Sequence, residues 1–132
     1  GEAPGIPGLH DITDWPGATT IPGLVIFRYD APLFFANVED FKRRSLAAIA
    51  AEKTPVAWFV LNTEAIPEMD ITAADMLNEF YDQLAARGIT LCLARVKQDL
   101  YAQLKGTQLL DKIGADHIFF TLRSAIAAFH ER

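Results

Sequence analysis

Val56-Ala57-Trp58-Phe59-Val60-Leu61 and, beyond residues 62–67, Glu68-Met69-Asp70-Ile71-Thr72-Ala73-Ala74-Asp75 together decide how this chain folds. The first run is apolar, rich in β-branched and aromatic residues and too short for an ordinary helix, so it reads as a buried strand. Past the second, Ala73, Met76, Leu77, Phe80 and Leu84 recur at i, i+3, i+4, i+7 and i+11, which is one face of a helix. Asp70-x-Thr72 therefore occupies a strand-to-helix turn. The first N–H groups of a helix lack intrahelical partners and its dipole favours negative charge, so a hydroxyl there is placed to carry or bind a phosphate. Asp and Thr are also preferred N-caps, and Thr72-x-x-Asp75 resembles a capping box with the shorter acid, so the same residues equally suit a plain helix start.

The alternation continues outward from that turn. Leu24 to Tyr29 reads as a strand, and Asn37 as the cap of a helix whose inner face uses Val38, Phe41, Ser45, Ala48 and Ile49. Gly88 stops the helix over 72–86. A strand over 89–94, helical material over 98–113 broken near Gly106, a strand over 117–120 and a helix over 122–131 follow. Strands alternating with helices imply parallel pairing through right-handed crossovers. His10 to Asp14 reads as a short strand paired antiparallel with 24–29 across the Pro/Gly-rich loop Trp15–Gly23. The expectation is an α/β fold with a mixed sheet, antiparallel at its start and parallel at its centre, flanked by about four helices. Residues 1–9 form a flexible lead-in and 10–132 one domain.

Composition narrows the function. The 132 residues suit a single core, and 51% apolar with 22% charged residues is a globular balance. A formal net charge of -5 gives no footprint for nucleic acid, and Lys42-Arg43-Arg44 reads as a solvated helix face. No apolar run approaches the roughly 20 residues that cross a bilayer, and the start lacks the pattern of a signal peptide. Gly1-Glu2-Ala3-Pro4 without methionine suggests an excised piece. Cys92, inside an apolar strand, reads as a small core hydrophobe in a reducing compartment.

Catalytic signatures are missing: no phosphate loop, no dinucleotide fingerprint, and His10, His117 and His130 stand without companions at metal-ligand spacing. Ser45 and Ser124 fall inside helices, outside any nucleophile elbow. Ligands of open α/β sheets gather outside the carboxyl ends of parallel strands. Those ends carry Asn62 and Thr63, then Arg95 and Lys97, then Thr121, with Asp70 and Thr72 nearby. That set suits an anion, and it also suits helix caps and loop tips.

In order and in residues the chain resembles the STAS domain (sulfate transporter and anti-sigma factor antagonist). Pro22 to Asn37 is similar to the start of that domain in bacterial SulP-type anion transporters, and Met69-Asp70-Ile71-Thr72 resembles the Asp-Ser-Ser turn of the antagonists, in which the second Ser is phosphorylated. The resemblance places Asp70 on the turn aspartate and Thr72 on the phosphorylatable position. Ile71 and Ala73 depart from the antagonist pattern, which has Ser and usually Gly there. It implies a non-enzymatic regulatory and interaction domain on the cytoplasmic face of a membrane transporter of sulfate or a related anion, soluble when excised. Its implied partners are the transmembrane domain of its own parent chain, which could be a homodimer, and cytosolic proteins. No cofactor is implied beyond a weakly bound guanine or adenine nucleotide at Asn62, Thr63, Thr72, Arg95 and Lys97. The alternative is a free-standing antagonist switched by phosphorylation of Thr72.

Overall fold

The computed structural model describes residues 21–31, 33–66 and 68–132. Four strands, β1 (Leu24–Arg28), β2 (Trp58–Asn62), β3 (Thr90–Ala94) and β4 (Ile118–Phe119), lie side by side in chain order. Every neighbouring pair is parallel, with Leu24 opposite Trp58 and Trp58 opposite Thr90. Among the described residues the sheet is therefore parallel from its first strand, which corrects the antiparallel start. Each strand is separated from the next by a helical crossover that returns the chain to the same edge. The expected partner strand at His10–Asp14 lies outside the described residues.

Strand alternation sorts the apolar residues into two cores. Val25, Phe59, Leu61, Leu91 and Leu93 point toward α1 (Phe35–Ala50), α2 (Ile71–Ala86), α3 (Gln98–Leu104) and α4 (Gln108–Ile113), where Val38, Phe41, Ala73, Leu77, Phe80 and Leu84 meet them. Leu24, Trp58, Val60, Cys92 and Ala94 face α5 (Leu122–Glu131), with Leu122, Ala125 and Phe129. Central β2 is buried along its whole length, which explains its uninterrupted apolar sequence. Phe80 sits edge-on to Phe41 at 6.0 Å and to Phe59 at 6.4 Å, joining two helices to the central strand. Aromatic pairs in this geometry contribute about 0.5–1.5 kcal/mol beyond their buried area.

The start of α1 differs from the sequence pattern. Phe34, not Asn37, holds the extended cap position of α1, and Asn37 reaches back from the first turn so that its Oδ1 accepts the Phe34 N–H at 2.8 Å. The cause lies outside the helix: Leu33 is bridged to Met69, its N–H donating to Glu68 O at 3.0 Å and its O accepting from Asp70 N at 3.1 Å. The chain leaves that bridge directly into the helix. Gly88 stops α2 as its sequence implies, at φ +77, with Gly88 N–H donating to Ala85 O and Ile89 N–H to Leu84 O.

Candidate functional site

The chain enters α2 through Asp70, whose extended backbone and short carboxylate make it the N-cap: Oδ1 accepts the Ala73 N–H at 2.7 Å. The Thr72-x-x-Asp75 box is thus not the cap. Thr72 is the second helical residue and is exposed, as is Ile71 before it. Two neighbours hold the turn in place, the Leu33 bridge on one side and, on the other, Gln103 of α3, whose Oε1 accepts the Met69 N–H at 3.1 Å. Between them opens a cleft of about 600 Å³, walled by Phe34 and Ile71, by Glu68, Asp70 and Thr72, and by Gln103 and Thr107 across from them.

The remaining residues of the anion set lie elsewhere. Thr63 is buried and spends its hydroxyl on Ala94 O at 3.0 Å, stitching β2 to β3 past their ends. Asn62 is buried as well; its Oδ1 accepts the Glu64 N–H at 3.0 Å, and among the described residues its Nδ2 has no partner. Arg95 is exposed and pairs with Glu64 at 3.0 Å. It is the one non-glycine at positive φ among the described residues (φ 58), held there as its N–H donates to Phe119 O. Lys97 is the exposed N-cap of α3. None of Asn62, Thr63, Arg95 or Lys97 lines the cleft that Thr72 lines. Thr121 caps α5, accepting the Ser124 N–H at 2.9 Å.

Electrostatics assign the other candidates to structure. Tyr29 donates its hydroxyl to Asp40 at 3.0 Å, and Asp40 also receives Arg43 and, at 3.1 Å, Arg44. The Tyr29 hydrogen bond and the two guanidinium groups hold the Asp40 carboxyl below its ordinary range, while burial and Asp40 itself push Tyr29 up. Two cations of the Lys42-Arg43-Arg44 run are thereby spent on α1's own surface. Burial pushes the Cys92 thiol up to about 12, the opposite of an activated nucleophile. His117 packs edge-on to Trp58 at 5.2 Å, with Nδ1 beside Ile113 O at 3.2 Å. Among the described residues no cluster could hold a metal ion, and no helix is long and apolar enough to cross a membrane.

One feature had no signal in the sequence. Among the described residues the exposed large apolar side chains are Phe34 (37%), Ile71 (79%), Tyr101 (42%) and Phe120 (90%), and all four lie on segments that leave the carboxyl ends of the strands. Of the four, Phe34 and Ile71 share the wall of the cleft, and contiguous exposed apolar surface marks a place where another macromolecule docks.

Comparison with known proteins bears on what that surface serves. The family model described as STAS domain matches residues 16–125. The chain belongs to the STAS domain family. It is 54% identical over 132 residues to a probable sulfate transporter of Mycobacterium tuberculosis, covering 100% of this chain and 24% of that protein. The solution structure of that mycobacterial protein's STAS domain covers 92% of this chain and 98% of its own at 43% identity and a TM-score of 0.52. The STAS domain of a SulP transporter from Vibrio cholerae shares the fold, with a TM-score of 0.71 at 22% identity over 96% of this chain and 97% of its own. This STAS chain spans about a quarter of the length of the mycobacterial relatives it matches.

Proposed function

We propose that this STAS domain is the cytosolic regulatory and interaction module of a SulP-type membrane transporter whose cargo is sulfate or a related oxyanion. The observation that carries the reading is the alignment of the entire chain, at 54% identity, with 24% of a probable sulfate transporter. Geometry supports the same reading: Phe34 and Ile71 stand exposed together in the cleft wall at the edge where the strands end, while among the described residues no cluster could hold a metal ion and the Cys92 thiol is buried and its pKa pushed up. The module acts by contact, docking on the membrane portion of its own parent and passing a cytosolic signal to it. Weak nucleotide binding belongs, in this reading, to the loop bearing Arg95 and Lys97, the part of the candidate set that is both cationic and exposed.

Uptake of labelled sulfate tests the proposal in cells that lack their own sulfate uptake. The parent is expressed with and without residues 21–132, at matched abundance in the membrane. Lower uptake or lost regulation on removal is the expected result; identical uptake under every condition overturns it.

A further inference from the structure

The cleft beside Thr72 has the wrong charge for a phosphate. Glu68 stands exposed in its wall, Asp70 beside it spends Oδ1 on the Ala73 N–H, Asp75 is exposed farther along α2, and among the described residues no lysine or arginine lines the cleft. Lys105, next along the chain from Leu104, is outside that wall. Phe34 and Ile71 supply apolar wall beside Glu68, and Ile71, 79% exposed, is open to a partner's side chain. An apolar anchor site with an acidic rim selects an occupant of the opposite pattern, one large apolar side chain beside a cation. Three-quarters of the related mycobacterial transporter lies outside the part this chain matches, and cytosol-facing loops between membrane spans carry an excess of Lys and Arg.

We propose that this cleft receives a cytosol-facing loop of the parent transporter's membrane portion, one that presents a large apolar side chain next to lysine or arginine. The inference rests on the transporter reading above and adds to it the place of contact. It also makes Thr72 a contact residue at the rim, where added negative charge would strengthen the hold on such a loop.

Cysteine cross-linking in the complete transporter tests it. Ile71→Cys, or Phe120→Cys as a second position at the same end of the fold, is paired with single cysteines placed beside the Lys and Arg residues of each cytosol-facing loop, in a background without other accessible cysteines. Cys92 can remain because it is buried. Ile71 is so exposed that its replacement leaves folding intact. The expected result is oxidative cross-linking of Ile71→Cys to one basic loop, reduced about two- to fivefold when Glu68→Lys is added, the range for a surface charge pair. Unchanged cross-linking with Glu68→Lys overturns the assignment of a cationic occupant. Cross-linking from Phe120→Cys but not from Ile71→Cys removes this cleft as the contact while leaving the transporter reading in place. Ile71→Cys bridging two copies of the domain, and no loop, also overturns the proposal. Absence of any cross-link to the membrane portion from either position also overturns the proposal, and the uptake experiment decides the transporter reading separately.

Discussion

Replacing Asp70 by alanine separates two accounts of the helix start. Asp70 Oδ1 accepts the Ala73 N–H at 2.7 Å, and its charge faces the positive end of a 16-residue helix. Losing an N-cap of this kind costs about 1 kcal/mol, within a range of roughly 0.5–2, and losing the charge–dipole attraction about 0.3–1 kcal/mol more. The sum is about 1–2 kcal/mol. Unfolding entropy near the midpoint is about 2.1 cal/mol/K per residue, so the 132-residue chain has roughly 0.28 kcal/mol/K and Asp70→Ala should lower Tm by about 4–7 °C. Asp70→Asn keeps the cap and should lose only the dipole share, about 1–3 °C. Thr72 is exposed at the second helical position, so Thr72→Ala should stay within about 2 °C of wild type. Calorimetric melting of the three variants at pH 7 is the assay. A Thr72→Ala loss equal to that of Asp70→Ala would refute the assignment of the cap.

Ser45 Oγ is buried without a hydrogen-bond partner among the described residues, so Ser45→Ala should raise stability by about 1 kcal/mol, near 3–4 °C in Tm; a fall would show that the hydroxyl is satisfied in solution. Because the Asp40 pKa is depressed, its contribution is present above the unfolded carboxylate value near 4 and lost as pH falls through the lower folded value. That of Tyr29, whose pKa is raised, is present below about pH 10 and lost above it. Tyr29→Phe should flatten both flanks of the Tm-versus-pH curve, and a curve parallel to wild type would remove the pair from the account. In an amide-shift titration, GTP should perturb Arg95 and Lys97 rather than Ile71 and Thr72, and weaken as salt rises because exposed charges are screened within about 8 Å at physiological ionic strength. Shifts centred on the acidic cleft would contradict that placement.

Much of this architecture was legible because it follows from periodicity. The buried face of α2 is the one its spacing marks, the apolar run of β3 places Cys92 in a core, and Gly106 interrupts the helical stretch between α3 and α4. What was not legible depends on contacts distant in sequence. The Leu33–Met69 bridge moved the start of α1 to Phe35, and nothing in residues 33–37 announces a tie to residue 69. Leu33-Phe34-Phe35-Ala36 looks uniformly apolar, yet Leu33 is buried and Phe34 stands in the wall of the cleft. Gln103 holds the turn before α2, but on a short amphipathic helix a glutamine resembles any solvated position. The candidate anion residues share the carboxyl edge of the sheet, as their positions imply. Side-chain direction beyond a strand end has no period, so sequence could not show that Thr63 turns inward, that Arg95 turns to Glu64, or that Thr72 lines a separate acidic cleft.

The most direct test of the claim that this domain works by docking is an isotope-edited titration with the separately expressed membrane portion of the parent in nanodiscs. Short flexible tethers give effective concentrations in the millimolar range, so a functional contact can be as weak as about 1 mM untethered, and partial broadening remains detectable at a few hundred micromolar. Loss of signal intensity should begin at Phe34, Ile71 and Thr72, at the edge where the strands end, and spare Gly88 and the opposite end of the sheet. Uniformly unchanged signals from the folded domain at those concentrations would contradict the account.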